Sequence, residues 1–166
     1  MRAELPGLDQ IDELDTQLSV RVPPEYIDRY GHMNVKYYLE ISARAFDGIL
    51  EEIGIDSAYR TERRMGVFAA EHHIRYLAEL HEGSEISAHI RVLDRSDKAA
   101  HLMTFIVDRS NARLSSIVEL ILLHVDTERR RAVPFPLDIA SELDRHIAKT
   151  QASWNAPTIG AMGVRR

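Results

Sequence analysis

The sequence predicts an α+β domain in which one long helix lies against an antiparallel sheet. Two observations carry this. From Val35 to Ile53 the apolar residues recur at helical spacing, and from residue 65 onward they alternate with period two through four successive runs. A single helix with one apolar face and a sheet with one apolar face bury each other.

The helix is the clearest element. Lys36, Glu40, Arg44, Asp47 and Glu51 form one polar stripe, opposite Tyr38, Ile41, Ala45, Ile49 and Ile53. Lys36–Glu40 and Glu40–Arg44 are opposite charges one turn apart, a modest support. Gly54 supplies the stop. Gly48 is a poor interior helix residue, which suggests close packing of the helix on the sheet at that point.

Ahead of the helix, residues 1–17 are mostly polar and are expected to be loosely attached. Leu18, Val20 and Val22 alternate with Ser19 and Arg21 and read as a first strand, ended by Pro23-Pro24. In the next strand, after the helix, Phe68, Ala70, His72, Ile74 and Tyr76 are expected on one face. Val67, Ala69, Glu71, His73 and Arg75 are expected on the other. Ile86 to Val92 follows, then a turn at Asp94–Asp97, and then strands over about 98–107 and 114–125. Leu137 to Lys149 reads as a short helix and the tail as irregular. The organisation is a polar segment over 1–17, one domain over 18–150, and a tail over 151–166.

Composition narrows the function. The 166 residues carry a net charge of −5, which argues against nucleic-acid binding, since that function calls for a basic face. With no cysteine, disulfides, thiolate nucleophiles and Cys-based zinc sites are excluded. The first fifteen residues are acidic and lack a signal peptide's apolar stretch. The most apolar run, Ile117 to Val125, contains Glu119 and is far shorter than the roughly 20 residues a membrane helix needs. A cytoplasmic protein is expected, with no membrane partner. His72-His73 is a poor metal pair because neighbours on a strand point to opposite faces, so no metal is expected. Ser115-Ser116 lacks the glycine framing of a nucleophile elbow.

Chemistry concentrates in Asp28-Arg29-Tyr30-Gly31-His32-Met33-Asn34, just before the helix. Asn34 suits an N-cap. Gly31 allows backbone to come close to a ligand. The helix start offers unpaired N–H donors and partial positive charge, which would stabilise an oxyanion forming on an acyl carbonyl. A nearby carboxylate would attack that carbon or activate water. The same residues would also make an ordinary capped turn, and on their own they leave both readings open.

Asp28-x-x-Gly31-His32-Met33-Asn34-x-x-Tyr37, followed by the long helix, resembles the active-site segment of the 4-hydroxybenzoyl-CoA thioesterase-like branch of the hotdog superfamily. The likeness extends over about Val20 to Pro136. It implies a five-stranded antiparallel sheet wrapped around the central helix, and a homodimer or homotetramer with sites between subunits. It also implies hydrolysis of an acyl-CoA thioester. By that resemblance Asp28 is the catalytic carboxylate, as nucleophile or base, and His32 and Asn34 stand with it. The amides around Met33 to Val35 form the oxyanion site. Gly31-His32-Met33-Asn34, Glu71-His72-His73-Ile74 and Leu123-His124-Val125-Asp126 are also similar to thioesterases of carnitine and betaine catabolism. Some of those are fused to carnitine dehydrogenases, and they act on betainyl-CoA-type substrates. No such nucleotide-binding partner is expected within these 166 residues.

That likeness implies no cofactor, coenzyme A being part of the substrate. Glu71 and His73, on one strand face, are expected in the pocket. Tyr30, Gly31, Tyr37 and Phe68 are expected to contact substrate, although Phe68, like Tyr38, would equally serve as core. Rings of this kind can cage a quaternary ammonium group. Arg60, Arg63 and Arg64 are expected near coenzyme A phosphates, unless they only decorate a solvated loop. Two other functions compete. A hotdog enoyl-CoA hydratase places His five residues after Asp, whereas here His32 follows Asp28 by four, without Asn-Pro. A non-catalytic acyl-CoA-binding module would not need the carboxylate.

Overall fold

The structure is a computed structural model and describes residues 4–164. The chain runs α1 (Leu8–Ile11), β1 (Thr16–Arg21), a 3-10 turn (Pro24–Tyr26), α2 (Val35–Glu52) and α3 (Ser57–Glu62). It continues through β2 (Met65–Tyr76), β3 (Glu85–Arg95), β4 (Ala99–Asp108), β5 (Arg113–Asp126), β6 (Arg131–Ala132) and α4 (Leu137–Lys149). The five long strands form one antiparallel sheet in the order β1-β3-β4-β5-β2, and the two-residue β6 pairs with the end of β5. The sheet curls around α2, the hotdog arrangement.

The helix packs as its stripe predicts. Tyr38, Ile41, Ala45, Phe46, Ile49 and Leu50 are buried in one cluster with Ile90, Val92, Leu102, Ile106, Leu120 and Leu122 of the sheet. Asn34 caps the helix, its Oδ1 accepting from the Lys36 N–H at 3.1 Å. Gly54 ends it at φ 88°, a left-handed conformation that glycine adopts without strain. A Cβ on Gly48 would lie 3.1 Å from Gln17 Oε1, so glycine here lets the helix approach β1 closely.

Two expectations need correction. The alternation predicted across β2 fails at Ala70. Ala69 pairs with Leu122 but Glu71 with Ile121, a bulge that puts two residues opposite one and inverts the phase beyond it. Val67, Ala69, His72, Ile74 and Tyr76 therefore face α2, while Phe68 joins Glu71, His73 and Arg75 on the outer face.

The N-terminal segment is also not loose. Ile11 and Leu14 are buried with Met103, Phe105, Val107, Ile117 and Trp154 on the face of the sheet away from α2. The C-terminal tail lies on the same face. Trp154 meets Phe105 edge-on at 5.4 Å, and Met162 covers Ala99 and Ile121. Both termini thus cover apolar surface that one helix cannot reach. Beneath the tail, Glu119 is 1 % exposed; its Oε1 pairs with His101 Nε2 at 2.9 Å and its Oε2 accepts from the Ile159 N–H at 3.0 Å.

The sheet ends in β1 on one side and β2 on the other, and among the described residues each pairs with one strand, β3 and β5 respectively; on β2 and just after it Phe68, Tyr76 and Leu77 are exposed. No helix of the described residues is long and apolar enough to cross a membrane.

Candidate active site at the start of the central helix

Residues 27–33 form a tight loop closed by a bridge between Ile27 and Met33. The Asp28 N–H donates to His32 O at 3.0 Å, and the Gly31 N–H donates to Asp28 O at 3.0 Å. Gly31 takes φ 83° there, and nothing lies within 4 Å of where its Cβ would be. Its freedom of φ, rather than crowding, is what the turn requires. Asp28 is half-buried, and its Oδ1 accepts from the Tyr30 N–H at 2.8 Å. Its Oδ2 has no protein partner among the described residues. The loop is tied from outside by His81, whose Nδ1 lies 3.1 Å from Gly31 O.

Not every predicted oxyanion donor is available. The Met33 N–H donates to Leu80 O at 2.7 Å, so that amide is engaged in anchoring the loop, while its buried side chain lines the adjoining pocket. The Asn34 N–H goes to Tyr26 O at 2.9 Å. Among the described residues this leaves the Val35 N–H unpartnered, at the first residue of α2, where the helix dipole adds positive potential.

Val35 lines an open pocket of about 210 Å³ with His32, Tyr38, Tyr76, Leu77 and Glu79. Pockets for drug-sized ligands run to roughly 300–1,000 Å³, so this one suits a small acyl group. Tyr76 stands edge-on to Tyr38, centroids 5.1 Å apart and planes at 83°. Burial holds the Tyr38 phenol above its ordinary pKa, so it stays a neutral O–H.

The other predicted residues scatter. Tyr30 sits on the loop, exposed, with Arg29 over its ring at 5.0 Å. Tyr37 has both faces covered, by Tyr26 at 3.7 Å and by the Lys36 ammonium at 4.7 Å, and its O–H donates to Glu25 O. Glu71 and His73 lie on the outer face, His73 opposite Glu119. Phe68 is also outside, under Arg130 at 5.9 Å. Arg60, Arg63 and Arg64 follow the far end of α2, which at ~1.5 Å per residue is about 27 Å from its start. Arg63 is paired with Asp138 at 2.6 Å and Arg64 with Glu128. No group of three or more His, Asp or Glu side chains able to hold a metal occurs among the described residues.

Glu79 and Tyr76 were not singled out as site residues from the sequence. Their position depends on the link between β2 and β3 folding back against the loop, fixed by the Met33–Leu80 hydrogen bond. Only a long-range contact could have signalled it.

Comparison with known proteins agrees with this architecture. A bifunctional protein of Rhizobium meliloti (strain 1021), named L-carnitine dehydrogenase/betainyl-CoA thioesterase, is 30 % identical over 140 residues, 84 % of this chain. The chain spans only 28 % of that relative's length. The betainyl-CoA thioesterase of Pseudomonas aeruginosa is 26 % identical over 129 residues, 78 % of this chain and 81 % of the relative. A Staphylococcus aureus protein solved in complex with CoA superposes with a TM-score of 0.79 at 21 % identity, covering 92 % of this chain and 96 % of that one, and shares the fold. The sequence model of the thioesterase-like superfamily matches residues 22–143, most of the strands and the whole of α2, and the chain belongs to that superfamily.

Proposed function

We propose that the protein hydrolyses the thioester of a small acyl-CoA, with Asp28 as the catalytic carboxylate. The observation that carries this is Asp28's unengaged carboxylate oxygen on the loop that leads into the open amide of Val35. A thioester carbonyl seated by the helix start would receive a hydrogen bond from Val35 as its oxygen gains charge. Asp28 would attack the carbonyl carbon, or take a proton from the water that does. When Asp28 attacks, the C–S bond breaks to leave an acyl-Asp28 anhydride, which water then hydrolyses to the free acid and the restored carboxylate; when water attacks, its oxygen stays on the acyl carbon as the C–S bond breaks and the acid forms directly. Coenzyme A leaves as the thiolate and takes up a proton, from the attacking water by way of Asp28 in the second case and from solvent in the first. The reaction draws only on this chain's groups and water, with no cofactor. A hydratase is disfavoured by the spacing of Asp28 and His32, and a purely binding module has no use for the carboxylate.

The acyl group we propose is of the betainyl kind, which the names of the relatives support. A cytoplasmic location suits an acyl-CoA substrate. We further propose a homodimer built on β2, the edge strand that carries exposed Phe68 and Tyr76; pairing such an edge with a second copy satisfies its backbone groups. Antiparallel pairing about a two-fold axis would bring the 65–68 end of one strand beside Tyr76 of the other copy. Phe68 and the nearby Arg60, Arg63 and Arg64, remote from Asp28 of their own subunit, would then approach the other subunit's pocket; Arg60 has no acidic partner among the described residues of its own chain.

The test is release of free thiol from a panel of short, aromatic and cationic acyl-CoAs, followed with a thiol reagent. Turnover of at least one thioester supports the proposal. No thiol release across the panel, with binding of acyl-CoA retained, would instead favour the binding module.

A further inference from the structure

We infer that Tyr76, Tyr38 and Glu79 form a recognition site for the cationic end of the acyl group, with Glu79 supplying the charge. This rests on the thioesterase reading above and deepens it.

A quaternary ammonium carries a charge that no proton transfer can remove, so a pocket that takes it must offer negative charge or aromatic faces. Among the carboxylates considered from the sequence, Glu71 fails on position, because the bulge at Ala70 leaves it on the outer face of β2. Glu79 lines the same small pocket as Val35 and His32. Its backbone is fixed there, since its carbonyl accepts from Arg113 Nη2 at 2.7 Å. The nearest basic group to its carboxylate is His81, 3.9 Å away. No arginine or lysine is paired with that carboxylate among the described residues.

The aromatic walls are equally specific. Tyr76 and Tyr38 meet nearly at right angles, which gives two sides of a corner, and Tyr76 is 50 % exposed. Tyr38 is buried and neutral, so it adds a ring without adding a charge. Tyr30 and Tyr37 cannot do the same, because cations of this chain already sit on their rings. The pocket thus pairs one carboxylate with two rings a short distance from the helix-start amide, the layout that a two-carbon acyl group with a trimethylammonium end requires.

The test compares kcat/KM for betainyl-CoA and for 3,3-dimethylbutanoyl-CoA, in which carbon replaces the cationic nitrogen. Wild type should favour the cation. Glu79→Gln should lower kcat/KM for betainyl-CoA by about tenfold or more, the scale of a lost partly desolvated cation contact, and leave the neutral thioester within about twofold. Tyr76→Leu should show the same selective loss. Glu71→Gln should leave both substrates unchanged. Because Glu79 is exposed, its variant should melt with wild type. Equal loss on both substrates, or a wild-type preference for the neutral thioester, overturns the inference while leaving the thioesterase intact. Failure of wild type to hydrolyse any acyl-CoA overturns the function itself.

Discussion

Tyr59 and His124 meet inside the core, with the tyrosine O–H 2.7 Å from His124 Nε2. The other ring nitrogen, Nδ1, lies 3.0 Å from Val133 O, which can only accept. Nδ1 therefore carries the hydrogen, and Nε2 must accept from Tyr59. The pair fastens α3 to the end of β5. Burial pushes the Tyr59 phenol up to about 12 and holds the imidazole below its usual value. Protonating His124 would turn Nε2 into a donor facing a donor.

A pH dependence follows. Burial likewise depresses His89, helped by the Arg109 guanidinium 2.8 Å away, and His146. With folded-state values below about 6.5, the unfolded chain binds protons that the folded chain refuses. This stability is complete above about pH 6.5 and is lost as pH falls below it. Urea midpoints should drop between pH 7.5 and 5.5, before the carboxylates titrate. Tyr59→Phe, which strands the Nε2 acceptor, should cost about 1–3 kcal/mol at pH 7.5. A flat midpoint across that range would contradict the neutral-histidine assignment.

Asp28→Asn tests the proposed chemistry. The amide keeps an oxygen for the Tyr30 N–H, so the loop should hold and the melting temperature should move little. It cannot act as base or nucleophile, and kcat should fall by about a hundredfold or more. A loss of only a few fold would reduce Asp28 to a turn residue.

The comparison of these residues shows what a local pattern can carry. Asn34, Gly54 and the apolar face of α2 are legible because their roles depend on neighbours within a turn or two. The first strand, β4, β5 and α4 also follow from periodicity within a residue or two of the predicted bounds, whereas β3 runs on to Arg95, through the first half of the turn expected at Asp94–Asp97. Alternation puts Phe68 and Glu71 on opposite faces of β2, whereas the structure has them on the same one, because one bulge shifts the phase of every later residue in a strand and an alternating sequence carries no mark of it. Leu5, Leu8, Ile11 and Leu14 recur every three residues, but the run is short and set among polar residues, so the sequence alone does not mark Ile11 and Leu14 as core. Only the outer face of the sheet, far along the chain, gives them partners.

The free edge of β2 gives an assembly prediction. Light scattering should report at least twice the 18.9 kDa chain mass at micromolar concentration. Ala70 is exposed at the bulge, a position where proline is tolerated within a strand. Ala70→Pro should therefore leave the subunit folded by circular dichroism while weakening edge pairing and shifting the protein toward monomer. If the proposed site is shared, thiol release should fall in step with dimer content. Full activity in a clean monomer would show that each subunit works alone.

The outer face yields the last prediction. Glu119 is buried between β5 and the tail, and both its oxygens are engaged, one by His101 and one by the Ile159 N–H. Arg75 adds a second tie, its Nη2 donating to Pro157 O at 2.8 Å, and Arg91 a third, to Trp154 O at 2.8 Å. Glu119→Ala removes one anchor, leaves a buried imidazole without its partner and opens a void beneath residue 159. The cost should be about 1–3 kcal/mol, the desolvation penalty of the stranded groups. Because α2 packs on the opposite face, the loss should appear first as local opening. Amide exchange over residues 151–164 should quicken well before that of α2, and limited proteolysis should clip the tail from a still-folded sheet. Uniform acceleration across α2 and the tail would show that the outer face is part of one cooperative core with the helix.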